Sequence, residues 1–124
     1  MNPPVFPTVS TDPAVRAALG TNPVRVFPFG QAPEKPADPY CVWRIIGGEP
    51  ENYLGDRPDI DRFHIQFDVY GTTASSVEAA ALALRNAIEG SCHIVAWLGT
   101  SRDSVTGRYA FQFSADWWTP RPKP

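Results

Sequence analysis

The chain has 124 residues, of which 43% are hydrophobic and 19% are charged. This length matches one domain, and the hydrophobic content excludes a disordered polar chain. The 11 basic residues are outnumbered by 13 acidic ones, which argues against a dedicated nucleic-acid binder, and no apolar run approaches the ~20 residues of a membrane helix.

The first elements along the chain are short and lie between prolines. Asp12-Pro13 is typical of a helix start and Gly20 of a helix end, so these residues predict a short helix between them. A short strand is predicted at about residues 24–27. Residues 29–39 are too rich in proline and glycine for regular structure, so we expect an exposed loop there.

The middle of the chain predicts two strands separated by a long loop. Residues 40–46 are rich in aromatic and β-branched side chains, which is typical of a strand. Residues 47–62 are acidic and polar, which predicts a loop of a length that is usually functional or disordered. Residues 62–70 alternate apolar and polar side chains and predict the clearest strand of the chain, which Gly71 ends.

The C-terminal half predicts one long helix and two further strands. Ser75 and Glu78 have the spacing of a capping box, and apolar residues then recur at helical spacing until Gly90. Residues 92–98 and 109–118 are predicted to be strands joined by a hairpin loop.

This order of elements predicts a single α+β domain over residues 1–124. We expect a mainly antiparallel sheet of about four or five strands, with one long helix and one short N-terminal helix packed on it. A proline-rich extended tail is expected from about residue 119. Large apolar residues occur on both faces of several predicted strands, which favours a sheet partly covered by another subunit. The alternative is a sheet that helix and loop cover on both faces.

No catalytic, cofactor-binding or metal-binding constellation is visible, so we expect no enzyme, no cofactor and no metal. Cys92 and His93 are adjacent on a predicted strand, where they point to opposite faces and do not easily share an ion. The opening Met-Asn-Pro-Pro-Val is unlike a secretory signal, so we expect a reducing cytosol. There Cys41 and Cys92 are expected to pack as small hydrophobic thiols.

The acidic loop and the C-terminal tryptophans supply the interface candidates. Arginine and tryptophan are enriched at interfaces, and arginines interleaved with carboxylates can form ion pairs with a neighbouring copy. Calcium is an alternative for the acidic run, but Pro58 interrupts the spacing of the ligands. The candidates for a subunit or tube interface are Glu51, Asp56, Arg57, Asp59, Arg62, Trp117 and Trp118.

Several motifs that together span most of the chain resemble one known family. They are Asp12-Pro13-Ala14-Val15, Leu19-Gly20, Arg25-Val26-Phe27-Pro28, Pro39-Tyr40-Cys41-Val42-Trp43, the strand at residues 63–70, the helix end at residues 84–90 and the hairpin at residues 103–113. In these motifs the chain resembles the tail-completion or tail-terminator proteins of long-tailed bacteriophages and prophages.

This resemblance implies a structural virion protein that assembles in the host bacterial cytoplasm into a ring of six. The ring would lie at the head-proximal end of the tail, stop polymerisation of the tail tube and provide the surface that joins tail to head. The implied partners are other copies of the chain, the tail tube protein and a head-neck connector protein, with no specific nucleic-acid sequence and no membrane. The loops at residues 30–39 and 47–61 are expected to project toward the tube or neck.

Two alternatives to this function stay open. One is a different head-tail neck adaptor, which would lie between portal and tail. The other is a small ligand-binding or enzymatic α+β domain that uses Tyr40, Trp43 or His64 in a pocket, which would require a deep cleft with convergent polar groups.

Overall fold

The structure, a computed structural model, describes residues 2–52 and 57–121. It confirms the α+β class, with a five-stranded, mostly antiparallel sheet and few helices. In chain order, the elements of the described residues are α1 (Val5–Val9), α2 (Pro13–Leu19), β1 (Val26–Pro28), β2 (Tyr40–Pro50), β3 (Ile60–Gly71), α3 (Ala74–Ile88), β4 (His93–Arg102) and β5 (Tyr109–Pro120).

The five strands form one sheet in the order β1-β2-β3-β5-β4. All neighbours are antiparallel except β1 and β2, which are parallel. β3 and β5 pair along their whole length, up to Ile60 opposite Pro120. Thr119 and Pro120, where we expected the extended tail to begin, are therefore part of β5, and residues 122–124 lie outside the described residues.

The edge strand β4 is irregular. Its register against β5 shifts between Ile94 and Ala96 and again between Trp97 and Gly99, so it carries two β-bulges. β4 continues to Arg102, beyond the strand end that the sequence predicts. The predicted hairpin loop is correspondingly shorter and follows Arg102.

The hydrophobic core lies between one face of the sheet and α3, and α1 and α2 pack against α3. The alternation in β3 and β5 sends their apolar side chains to this face, where Phe67 and Phe113 stack with ring centroids 4.8 Å apart. Stacked cross-strand aromatic rings fix the register of the two central strands. We call the other, largely polar face of the sheet the open face; it carries Arg62, His64, Gln66, Tyr70, Gln112, Ser114 and Asp116.

The short helix that the sequence predicts is confirmed as α2. The Asp12 carboxylate accepts hydrogen bonds from the backbone N–H groups of Ala14 (3.0 Å) and Val15 (3.1 Å), and Gly20 ends the helix with a φ of 86°. α1 was not predicted, because its segment contains prolines. Proline is tolerated in the first turn of a helix, and Val9 anchors α1 in the core.

The start of the long helix differs from the prediction. The cap is Thr73 rather than Ser75, since the Thr73 hydroxyl accepts a hydrogen bond from the Ser76 N–H at 3.2 Å and the helix begins at Ala74. Ser75 lies inside the first turn, so the capping box with Glu78 is wrong. The apolar face of α3 is as expected. No helix among the described residues combines the length and hydropathy that crossing a membrane requires.

The polar loop predicted over residues 47–62 is also wrong in extent. β2 continues through Pro50 and β3 begins at Ile60, so only residues 51–59 connect the two strands. The exposed loop predicted at residues 29–39 is confirmed as lacking helix and strand. The strand predicted at residues 24–27 begins two residues later and ends one residue later, at Val26–Pro28.

Candidate assembly interface

The paired ends of β2 and β3 include a stretch of β2 that lies beyond its pairing with β1. β1 pairs only with residues 41–43 of β2, so residues 44–50 have no strand on that side among the described residues. All of residues 44–50 are exposed except the half-buried Gly47. We call residues 44–50 and 60–64 the β2–β3 arm. An arm whose β2 edge is unpaired among the described residues is suited to contact another molecule.

A bulge and a close backbone approach shape the arm. The register of β2 against β3 shifts between Ile45 and Gly47. At Gly48, a Cβ atom would lie 2.6 Å from the carbonyl oxygen of Arg62, which is closer than real Cβ contacts. Glycine at this position therefore allows the two strands to pair next to the bulge.

Four ionisable side chains form a network across the arm on the open face. Strand pairing places Glu49 opposite Arg62 and His64 opposite Asp116. Arg62 Nε donates to Glu49 Oε1 at 2.7 Å, and the same arginine's terminal nitrogen also contacts that oxygen. His64 Nδ1 lies 2.5 Å from Asp116 Oδ1, and its Nε2 lies 3.0 Å from Glu49 Oε1. A protonated His64 therefore donates to both carboxylates at once.

The network changes the protonation equilibria of its members. The hydrogen bond to Asp116, followed by that to Glu49, raises the pKa of His64. Hydrogen bonds from Arg62 and then His64 lower the pKa of Glu49. Both shifts favour the charged forms. The side chains of Arg62 and His64 are 34% exposed, so water screens these pairs and they contribute little stability to the isolated chain.

Three of the predicted interface residues meet at the end of this network. The Trp118 indole N–H donates to Glu51 Oε1 at 3.1 Å. Arg62 Nε lies 3.6 Å from the same oxygen, and the guanidinium carbon of Arg62 lies 5.9 Å from the centroid of the Trp118 ring. The arginine is thus held between a carboxylate and an aromatic face, and Trp118 remains 38% exposed.

The other predicted interface residues have different positions. Asp59 and Arg57 are exposed beside the arm, and the Asp59 carbonyl accepts a 2.7 Å hydrogen bond from the backbone N–H of Arg121. Asp56 lies outside the described residues. Trp117 is 2% exposed and belongs to the core, so it is not part of this surface.

Sequence reasoning did not assign Glu49, His64 and Asp116 to the interface. The sequence predicts Glu49 to lie in a loop, and it gives His64 a role only in the pocket of the ligand-binding alternative. An antiparallel alignment of the two aromatic-rich strands would have brought His64 opposite Asp116, because their core residues Phe67 and Phe113 pair in the same register.

The described residues do not gather the groups that the ligand-binding alternative would use. Trp43 is buried on the core face, whereas Tyr40 and His64 lie on the open face near opposite ends of the β2–β3 pairing. Among the residues described, no three His, Cys, Asp or Glu side chains are placed to hold a metal ion.

Both cysteines are free thiols in protected positions. Cys41 is fully buried, and burial raises its pKa far above the usual value. Cys92 is partly buried, and burial raises its pKa to about 11. The thiols are therefore protonated at neutral pH and poor nucleophiles, as side chains that serve in packing are.

Comparison with known proteins identifies the family. A chain of a solved structure titled "Virion of native gene transfer agent (GTA) particle" shares this fold with a TM-score of 0.69 and 12% sequence identity, over 94% of this chain and 92% of that one. No curated protein matches the chain significantly. The family described as "Tail completion protein gp17" matches residues 3–108. This match covers most of the chain and agrees with the resemblance seen in its motifs, so the chain belongs to the tail completion protein gp17 family.

Proposed function

We propose that this protein is a structural subunit of a phage tail that forms a ring at the head-proximal end of the tail tube. The ring, of six copies as the family resemblance implies, stops tube growth and presents the surface to which the head is joined. The observation that carries the proposal is the family match over residues 3–108. The fold shared with a chain of a gene transfer agent virion supports a place in the virion.

The β2–β3 arm is the surface that we assign to assembly. Exposed ion pairs on a monomer contribute little in water, but charged and aromatic groups that a partner desolvates become determinants of specificity and binding. The cluster of Glu51, Arg62 and Trp118 combines an arginine with a half-exposed tryptophan, the side chains most enriched among binding hot spots. Arg57 and Asp59 extend this surface, and Asp56 stays a prediction.

Two measurements test the proposal. Native mass spectrometry of the purified chain, alone and with tail tubes, should show a closed oligomer of six copies, and the oligomer should bind tubes and prevent further addition of tube protein. A chain that stays monomeric both at millimolar concentration and on tubes would refute the ring. Binding to portal rings in place of tubes would assign the chain to the neck adaptors instead.

The variant Trp118→Ala tests the arm. It should weaken tube capping or ring formation at least tenfold, because tryptophan at the centre of a binding surface commonly carries more than ~1.4 kcal/mol. The matched variant is Trp118→Phe, which keeps an aromatic side chain but loses the hydrogen bond to Glu51. It should retain most of the tube capping and oligomer formation. Full activity of Trp118→Ala with an unchanged circular dichroism spectrum would remove Trp118 from the interface.

A further inference from the structure

One histidine contacts two neighbouring strands at once, at the end of the sheet that holds the β2–β3 arm. His64 on β3 lies between Glu49 on β2 and Asp116 on β5. Its Nε2 is 3.0 Å from Glu49 Oε1, and its Nδ1 is 2.5 Å from Asp116 Oδ1. The ring extends over Gly47, where an added Cβ would lie 3.4 Å from His64 Cδ2. The imidazole therefore links three strands on the open face.

The two contacts of His64 are both hydrogen bonds only while the ring is protonated. Ionised carboxylates accept hydrogen bonds and do not donate them, and a neutral imidazole has a single N–H. Asp116 accepts from no other side chain among the described residues, whereas Glu49 also accepts from Arg62 Nε at 2.7 Å. Neutral His64 is therefore expected to keep its proton on Nδ1, toward Asp116, and to lose the hydrogen bond to Glu49.

The hydrogen bond that is lost joins β3 to a part of β2 that has one strand neighbour among the described residues. β1 pairs with residues 41–43 of β2 and ends before the arm begins. The register of β2 against β3 shifts just before Gly47, so the pairing in the arm starts again beyond a bulge. The contact between His64 and Glu49 thus supports strand pairing where β2 has the least support from its other side.

The charges of the network also balance only when His64 is protonated. Arg62 and protonated His64 then stand against the carboxylates of Glu49 and Asp116. A neutral His64 leaves one negative charge uncompensated, which costs most where a partner excludes water. The remaining charged or titratable groups beside the network on the open face are Glu51, Arg44 and His93.

We propose that protonation of His64 is a pH-sensitive switch that stabilises the pairing of β2 with β3 in the β2–β3 arm. The protonated ring holds Glu49 and Asp116 together and keeps the arm in one conformation, whereas the neutral ring lets the end of β2 separate from β3 more often. The raised pKa of His64 means that the effect is fully present below the ordinary histidine pKa of ~6.5 and is lost as pH rises through the native pKa. The consequence for assembly rests on the proposed role of the arm: rings or tube contacts should be tighter at the lower pH.

Amide hydrogen exchange of the purified chain, compared between about pH 5.5 and about pH 9, tests the switch. Protection of the backbone amides in the arm, relative to amides in the β3–β5 pairing, should fall about two- to fivefold at the higher pH, as expected for an exposed ion pair. His64→Gln should abolish this fall. The matched control is His93→Gln, because His93 is exposed opposite Asp116 on β4 and should leave the fall unchanged. An equal fall in the unaltered chain and in His64→Gln would overturn the inference.

The second measurement locates the proton on the neutral ring. Nitrogen-15 NMR of His64 above its native pKa should show the tautomer with the proton on Nδ1. The variant Glu49→Gln should keep that tautomer but lose the pH response of the arm, because the carboxylate that the second N–H contacts is gone. A proton on Nε2, or an undiminished response in Glu49→Gln, would refute the proposed route through Glu49.

The outcomes separate the switch from the proposed function, since exchange and NMR use the chain alone. If ring formation and tube binding are independent of pH while the arm responds as expected, the switch stands and the arm is not the assembly surface. If the chain never assembles at any pH, the proposed function fails and the exchange data still decide the switch. If assembly weakens at high pH equally in the unaltered chain and His64→Gln, another group controls it and the inference is wrong.

Discussion

The close approach at Gly48 makes the variant Gly48→Ala a direct test of how the β2–β3 arm is built. The added methyl group would lie 2.6 Å from the Arg62 carbonyl oxygen and 3.4 Å from the Phe63 Cα. Both atoms belong to the backbone of β3, which pairs with β5 on the side away from β2. This backbone therefore cannot rotate away as a flexible side chain would. The two strands must separate locally.

The size of the effect follows from two opposing contributions. Overpacking of this kind costs about 1–3 kcal/mol. Replacing a strand glycine by alanine gains about 0.5–1 kcal/mol, because glycine loses more backbone freedom on folding. We therefore expect Gly48→Ala to lower the free energy of unfolding by about 1–2 kcal/mol, which is roughly 4 °C in Tm for each kcal/mol.

Gly47→Ala is the matched control one residue away. Its Cβ would meet only the His64 side chain, at 3.4 Å, which is an ordinary contact distance. We expect it to change the free energy of unfolding by less than about 1 kcal/mol, toward greater stability. Urea unfolding measures both variants, and amide hydrogen exchange should show lost protection in the arm of Gly48→Ala alone. Equal stability and equal protection in the two variants would refute the steric argument.

Three further predictions concern protonation and capping. Since the pKa of His64 is raised, its contribution to stability should be fully present at pH values below the ordinary histidine pKa and should decline as pH rises through the higher native pKa. A proton NMR titration of His64 should show this raised native pKa. The variant Asp116→Asn should lower it. An unchanged His64 titration in that variant would contradict the assigned hydrogen bond. Asp12→Ala should cost about 1 kcal/mol in urea unfolding, whereas Asp12→Ser should cost much less, and equal losses would argue against the cap. Cys41 should react with a thiol reagent only on unfolding, and Cys92 slowly before it, so rapid labelling of two thiols in the native protein would disprove their protection.

Local chemistry was sufficient to predict the elements whose signals lie in neighbouring residues. Asp12, Pro13 and Gly20 define α2 through hydrogen bonds and backbone angles within the segment itself. The alternation in β3 follows from the period of a strand with one face on a core. The cap of α3 was misplaced because Thr73 and Ser75 are both suitable capping residues, and the packing of the helix on the sheet decides between them.

The arm depended on pairing that a single segment does not reveal. Gly47, Gly48 and Glu49 have low strand propensity, and they become strand because Arg62 and its neighbours pair with them across the bulge. Trp117 shows the opposite case. It lies four residues after Phe113 on the same strand, and alternate residues of a strand share a face, so its burial on the core face could be predicted from the sequence. The partnership of His64 with two carboxylates needed the register of three strands at once.

The two β-bulges in β4 affect whether copies of the chain would aggregate through their edge strands. A regular outer strand offers an uninterrupted row of amide and carbonyl groups, on which further strands can add without limit. The irregularities after Ile94 and Trp97 break that row, so an incoming backbone finds no continuous template. In the ring that we propose, copies of the chain would therefore meet through side chains, whose shapes fix an angle between them. A fixed angle is the property that separates a bounded particle from a fibre.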